Sequence, residues 1–273
     1  MIFDQLPDEV KCDILSYTDL CDYENVATVD KSWNLMLNDS VTWINKLKKS
    51  HIYAGSDILY YLLKDFKFMR NYYILNSKDN FLKNVNMDKG LEHWGPSSKQ
   101  KESKKPQTCD WQSVTGGWKI ETSVGCDPFP TEAGPAFNNA VTSYMSCCRE
   151  QEIQLSRWLP NIGILMQDGY KVRVSWSVWV APRYDCGSKF SACIESQGTE
   201  IELANVRLNA GRKWLKLTKS ADLDISDGDC LFTYKESGQD TQFWNGHYGV
   251  KILNPAISVK IIPGAQSSRE MFE

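Results

Sequence analysis

Residues 169–180 read GYKVRVSWSVWV and alternate without a break: Tyr170, Val172, Val174, Trp176, Val178 and Val180 fall on one side of an extended chain, Lys171, Arg173, Ser175 and Ser177 on the other. Successive side chains of a strand point to opposite faces, so this run predicts a strand with one core side and one wet side. Shorter candidates follow at residues 190–194, 200–203, 214–217, 230–234 and 256–262, separated by glycines, prolines and polar turns. Short strands at regular spacing, with no long helices between them, argue for an antiparallel sandwich or barrel.

The texture upstream is different. In LPDEVKCDILSY, residues 6–17, the apolar positions Leu6, Val10, Ile14 and Tyr17 recur every three to four residues, and Pro7, Asp8 and Glu9 suit a first helical turn. A second helix is predicted from Asp22 as N-cap, carrying Val26, Val29, Trp33 and Leu37. A third starts near Asp39 and Ser40 and sets Trp43 and Leu47 one turn apart. Each is too short to persist alone, so they must pack on one another or on a partner. Residues 56–75 are apolar on several faces, with Leu59, Leu62, Leu63, Phe66 and Met69 at helical spacing, as a connecting helix between two modules requires. Residues 95–107 are polar, lysine-rich and bounded by prolines, which reads as a disordered surface loop.

These 273 residues, 42% hydrophobic and 24% charged, suffice for one to two domains of ordinary globular composition with a surplus of large aromatics. A net charge of −3 excludes the broad positive field that nonspecific nucleic-acid binding uses. No apolar run approaches the ~20 residues needed to span a bilayer, and acidic residues stand where a signal peptide carries positive charge, so a cytoplasmic protein is expected. Nine cysteines without a Cys-x-x-Cys spacing suggest neither a zinc module nor a disulfide framework. Cys147 and Cys148 should point to opposite sides of an extended chain, one buried and one exposed. The sequon at Asn38 is taken as chance. Nothing implies a cofactor or a bound metal.

Residues 6–47 resemble the F-box. Its hallmarks are an opening Leu-Pro, an Ile-Leu-Ser-Tyr in the first long helix, a Val before a Trp and a closing Trp; here they are Leu6-Pro7, Ile14 to Tyr17, Val29 with Trp33, and Trp43. Asp30 departs from the Cys found there in many members. The resemblance implies docking to a Skp-type adaptor and through it to a cullin, with Leu6, Pro7, Ile14 and Leu15 as adaptor-facing positions.

The blocks FLKNVNMDKGLEHW, GGWKIE, CCREQEIQLSRWL and GQDTQFWNGHYGVKILNPAISVKI, in that order behind an F-box, look like the F-box-associated domain of the sugar-recognising F-box proteins. That resemblance implies an α+β chain: an F-box over 1–50, a helical linker over 51–76, an antiparallel β-sandwich of the galactose-binding-like jelly-roll type over 77–265, and a tail over 266–273. It further implies a non-catalytic substrate receptor of an SCF ubiquitin ligase that binds the chitobiose core of high-mannose N-glycans on misfolded glycoproteins. Ubiquitination and degradation of proteins exported from the endoplasmic reticulum would follow. The family's Tyr-Trp-Lys loop corresponds here to Phe243-Trp244-Asn245, which keeps the Trp and one ring and exchanges a cation for amide donors and an acceptor. Tyr144, or Met145 beside it, falls where the family's neighbouring Phe would sit.

From the residues alone, a Phe-Trp pair in a glycine-bracketed segment is core packing, a sugar platform or a protein anchor. The alternative function is therefore a receptor whose loops bind a non-glycosylated protein. An enzyme would need a recognisable constellation, and the chain has three histidines and no Gly-x-Ser-x-Gly, His-Glu-x-x-His or phosphate loop, although paired carboxylates leave no motif. His247 lacks companions at metal-ligand spacing and is expected to be packed or solvated.

Overall fold

The computed structural model describes residues 6–17, 36–37, 40–50, 52, 66–95, 117–122, 125–133, 138–160, 162–223, 225 and 230–264. Among these residues, helices α1 (Asp8–Tyr17), α2 (Ser40–Lys49) and α3 (Phe66–Ser77) precede nine strands, with one short helix, α4 (Ile162–Gln167), among them. The expected helix from Asp22, residues 56–65 of the connecting helix and residues 96–107 of the lysine-rich loop lie outside the described residues.

Helix α1 starts as Pro7 predicts: the Pro7 carbonyl accepts the first amide bonds, from Val10 at 3.0 Å and Lys11 at 3.1 Å. Trp43 and Leu47, one turn apart on α2, are both buried, and the indole Nε1 of Trp43 donates to the Leu37 carbonyl at 2.8 Å. Burying side chains of this size contributes about 1.5–3 kcal/mol each. The Trp43 ring meets Tyr73 of α3 at 5.8 Å between centroids, and the Ser50 hydroxyl donates to the Tyr73 oxygen at 3.3 Å. Helix α3 is thus packed on the helical module.

The strands are β1 (Lys119–Glu121), β2 (Asn139–Val141), β3 (Cys147–Gln154), β4 (Tyr170–Ala181), β5 (Ser188–Ser196), β6 (Thr199–Leu208), β7 (Leu215–Leu223), β8 (Leu231–Asp240) and β9 (Lys251–Pro263). They form a five-stranded sheet, β1-β2-β9-β4-β7, facing a four-stranded sheet, β3-β8-β5-β6. All pairings are antiparallel. The molecule is an α+β chain whose C-terminal part is an antiparallel β-sandwich of the jelly-roll type.

On β4 the six alternating residues from Tyr170 to Val180 are all buried, so the run that announced the sandwich forms its central inner face. Most other strands extend beyond the apolar stretches that signalled them, because their ends alternate buried positions with polar ones on the wet face. Where β4 meets β9 the register shifts between Ser177 and Trp179. Asn254 takes a φ of 44° at this irregularity, and Pro255 follows it at a place where the ladder is already broken.

The sandwich holds α3 by the far end of β9. Asn76 and Asn80 accept the amides of Ile261 and Ile257, each at 3.0 Å, through their side-chain oxygens, and the Phe81 amide donates to the Ile257 carbonyl at 2.7 Å. Because all strands are antiparallel, the β2–β3, β4–β5, β6–β7 and β8–β9 loops gather at the other end. Ten residues of β9 separate Lys251 from Ile261, roughly 33 Å of strand, so these loops face away from the α3 attachment.

The interior is not wholly apolar. The fully buried guanidinium of Arg149 on β3 lies 4.0 Å from the Trp94 ring centroid and 4.5 Å from that of Trp118. Its Nε donates to Glu236 Oε1 of β8 at 2.5 Å. Tyr234 donates to Glu236 Oε2 at 2.6 Å, and Trp176 Nε1 of the opposite sheet donates to the Tyr234 oxygen at 3.1 Å. Burial, then the neighbouring Glu236 carboxylate, hold the Tyr234 phenol well above its ordinary pKa, so it stays a donor. Cys147 is buried and Cys148 half-buried on the other face, the split that strand alternation requires.

Candidate functional site

The β8–β9 loop, residues 241–250, is built from beneath by Asp240. This buried carboxylate accepts the Gln242 amide at 3.0 Å and the Phe243 amide through Oδ1, an Asx-type turn that holds the chain immediately after the strand ends. Phe243 takes a φ of 57°, a left-handed conformation that costs a bulky residue free energy and is characteristic of binding loops. Its ring is 65% exposed and that of Trp244 is 42% exposed. Neither ring is core; both reach solvent. Asn245 is exposed beside them.

The glycines of this segment have different uses. Gly238, expected to mark the turn, belongs to β8: a Cβ there would lie 2.3 Å from Val250 Cγ1 and 2.9 Å from the Lys189 carbonyl, so it permits close approach in the strand. Gly246, with φ 130°, turns the chain tightly under the Tyr248 ring, which a Cβ would meet at 2.7 Å.

Two neighbouring loops are tied to this one. The Asp240 amide donates to the Ser143 carbonyl and the Gly249 amide to the Thr142 carbonyl, both at 3.0 Å; the Thr241 amide donates to the Gly187 carbonyl at 2.9 Å. The first two bonds bring the β2–β3 loop alongside, with Tyr144 and Met145 half-buried on it. Tyr144 makes no ring contact with Trp244 among the described residues. The partner ring of Trp244 is instead Tyr248, at 5.7 Å and 86° in an edge-to-face arrangement. Beyond Tyr248 lie Arg183, with its guanidinium 4.3 Å from that ring's centroid, and the exposed Tyr184. Sequence reasoning missed these three; the available signal was Arg-Tyr in a short turn between two strands, where neither ring nor cation has a core to enter.

His247 folds down rather than outward. It is half-buried and its Nε2 has no hydrogen-bond partner among the described residues. Burial, reinforced by the Lys119 charge, holds its pKa below the ordinary 6.5, against the opposing pull of Glu121 and a backbone bond to Gly117. A histidine that binds its proton more weakly folded than unfolded stabilises the fold above pH ~6.5 and loses that contribution as pH falls through its lower folded value. We expect the melting temperature of the full chain to fall between pH 7.5 and 5, and to fall less in His247→Gln; equal pH slopes for the two proteins would refute the assignment. Nearby, burial pushes the Cys126 thiol up to about 11 despite the Lys251 charge, so it remains protonated. Among the described residues no cluster of three or more His, Cys, Asp or Glu could hold a metal ion. Among the described residues, no helix is long and apolar enough to cross a membrane.

A second candidate surface lies on α1. Val10 and Ile14 are 43% and 39% exposed, and Tyr17 is largely exposed, with the Lys49 ammonium 3.6 Å from its ring centroid. Pro7 is exposed and Leu6 partly so. Leu15, named with the expected adaptor-facing set, is fully buried, on the helix face turned toward the core together with Cys12 and Lys11. Val10 and Tyr17 extend the exposed row at helical spacing instead.

Residues 3–48 match the F-box-like family. The chain is 24% identical over 201 residues to "F-box only protein 44" of Homo sapiens, covering 69% of this chain and 70% of that protein. It is 26% identical over 201 residues to "F-box only protein 6" of Mus musculus, covering 69% of this chain and 61% of that protein; the chain thus spans about three-fifths of the latter's length. Among solved structures, the carbohydrate-binding module TmCBM61, determined in complex with β-1,4-galactotriose, aligns at 14% identity over 66% of this chain and 98% of its own, with a TM-score of 0.37, too distant a likeness to bear on ligand. An alignment of 201 residues cannot be contained in the helical module and must enter the sandwich. An F-box-like module thus stands in front of a β-sandwich into which the similarity to F-box only proteins extends, the arrangement expected of an F-box followed by an F-box-associated domain.

Proposed function

We propose that this protein is the substrate receptor of an SCF-type ubiquitin ligase and recognises N-glycans of misfolded glycoproteins through the loop end of its sandwich. In this reading the exposed side of α1, with Leu6, Pro7 and Ile14, docks to a Skp-type adaptor and so to a cullin, and Trp244, Phe243, Asn245 and Tyr144 receive the inner sugars of a high-mannose glycan. The observation that carries the sugar side is the exposure of Phe243 and Trp244 on a loop anchored by the buried Asp240 carboxylate. A flat ring meets the axial hydrogens of a pyranose, and the Asn245 amide supplies both donors and an acceptor for hydroxyls.

The protein performs no bond chemistry of its own in this reading. It accelerates ubiquitin transfer by holding substrate lysines near the conjugating enzyme, an effective-concentration effect. The separation of the loop end from the α3 attachment supports it, because bound substrate is kept clear of the helical module. Endoplasmic-reticulum-associated degradation, with the receptor in the cytoplasm, is the process such a receptor serves.

The test is calorimetric titration of the full chain, bound to its adaptor, with a chitobiose-cored high-mannose glycan. We expect saturable binding that Trp244→Ala weakens by at least about 30-fold, the scale of a truncated hot-spot aromatic, with an unchanged melting temperature. Absence of glycan binding by the folded wild type would overturn the sugar reading and favour a receptor for a non-glycosylated protein.

A further inference from the structure

Past Tyr248 the loop end changes character. Arg183 lies between two rings, 4.3 Å from the Tyr248 centroid and 5.4 Å from that of Tyr184, and Arg212 of the β6–β7 loop sits 5.3 Å from the same Tyr184 ring. With Trp244 against Tyr248, the result is a row, Trp244, Tyr248, Arg183, Tyr184, Arg212, in which every step is under 6 Å. The backbone fixes it. The Gly211 amide donates to the Arg183 carbonyl at 3.0 Å, the Tyr184 amide to the Gly125 carbonyl at 3.1 Å, and the Asp127 amide to the Arg212 carbonyl at 2.8 Å. Gly125, with φ 73°, lies against the aliphatic stem of Arg183, where a Cβ would meet Cγ at 3.3 Å.

The charges along this row do not cancel. Arg183 is matched by Asp185 at 2.9 Å. Arg212 is exposed and has no carboxylate within 4.0 Å among the described residues, and the adjacent Lys213 is exposed as well. A neutral glycan can answer a guanidinium only with hydroxyl and ring oxygens, whereas a carboxylate brings the opposite charge and can accept two parallel hydrogen bonds from it. Tyrosine and arginine held rigidly on a surface are also the composition of protein recognition hot spots.

We infer that the loop end carries a second half-site, Tyr184 with Arg212, that takes an acidic polypeptide segment flanking the glycosylated asparagine; the inference rests on the sugar reading above for what occupies Trp244. The row is at most ~20 Å long, so an Asp or Glu within about six residues of the glycan attachment reaches Arg212 at ~3.3 Å per extended residue. The site therefore selects among glycoproteins by the sequence around the glycan.

The experiment uses the full chain with its adaptor and three synthetic peptides that carry the same high-mannose glycan and differ only in acidic, neutral or basic flanks. An unglycosylated acidic peptide is the fourth probe. We expect the acidic glycopeptide to bind about tenfold tighter than the neutral one at low salt, with the advantage shrinking as salt rises. In Arg212→Ala the ratio falls to about one, and in Arg212→Glu the preference passes to the basic flanks, a reversal that structural damage does not produce. Equal affinity for all three flanks in the wild type, or an acidic preference that survives Arg212→Glu, would overturn the half-site and leave the sugar reading standing. Binding of the unglycosylated acidic peptide that is lost in Arg212→Glu, without any glycan binding, would support the half-site and reject the sugar reading.

Discussion

Arg149→Ala is expected to destabilise the β-sandwich by about 3–5 kcal/mol, the cost of removing one member of a buried ion pair. The guanidinium is completely buried between two indoles and bound to Glu236. Its removal strands the Glu236 carboxylate in the interior with the Tyr234 hydroxyl as its remaining hydrogen-bond donor among the described residues and leaves a void between Trp94 and Trp118. The effect should spread, since Tyr234 in turn accepts from Trp176 of the opposite sheet. Urea unfolding of the full chain, followed by tryptophan fluorescence, reads it as a lower midpoint for the sandwich transition. The paired substitution Arg149→Met with Glu236→Leu should cost far less than Arg149→Ala, because no charge is then left unmatched. A midpoint for Arg149→Ala within error of the wild type would show that the network does not hold the two sheets together.

The second large effect is on partner binding. Replacing Ile14 by Asp, together with Leu6→Ala and Pro7→Ala, should reduce adaptor affinity by at least about 30-fold, since it puts a charge and two truncations on one exposed apolar face. The side chains of Ile14 and Pro7 reach solvent and that of Leu6 does so partly, so the melting temperature should hardly change. Leu15→Ala is the contrasting variant. Being fully buried, it should cost about 2–5 kcal/mol through the cavity it leaves, and it weakens docking only by loosening the helix. Co-purification with the adaptor, measured beside the melting temperature, separates the two. Retained adaptor binding in the triple variant would reject α1 as the docking surface.

These cases show how far a linear reading reaches. The strand at 170–180 was legible because its inner-face residues are all apolar and buried while its other face is polar except for the half-buried Trp179, so pattern and burial largely coincide. Strand β3 was not, because Arg149 and Gln151 occupy its inner face. Alternation places them opposite Cys148, Glu150 and Glu152, but nothing in the order of residues says that the arginine side is the dry one. That depends on Glu236, 87 positions away, arriving across the ladder as its register partner. Gln151 is likewise settled from a distance, exchanging two hydrogen bonds with the backbone of Lys83 at 2.9 and 2.8 Å.

The same division runs through the two surfaces. The i, i+4 spacing of Val10 and Ile14 marked α1 as amphipathic, yet only tertiary packing decided that Leu15 turns inward while Ile14 stays outside. For the loop end, the sequence by itself placed Phe243 and Trp244 in a turn and left their burial open. Tertiary structure decided it: the buried Asp240 carboxylate turns the backbone at Phe243 and leaves both rings in solvent. It also decided which distant residues join them. Local periodicity reports how one segment divides between core and water, whereas Tyr248, Arg183, Tyr184 and Arg212 become neighbours only because antiparallel pairing returns successive strand ends to one place.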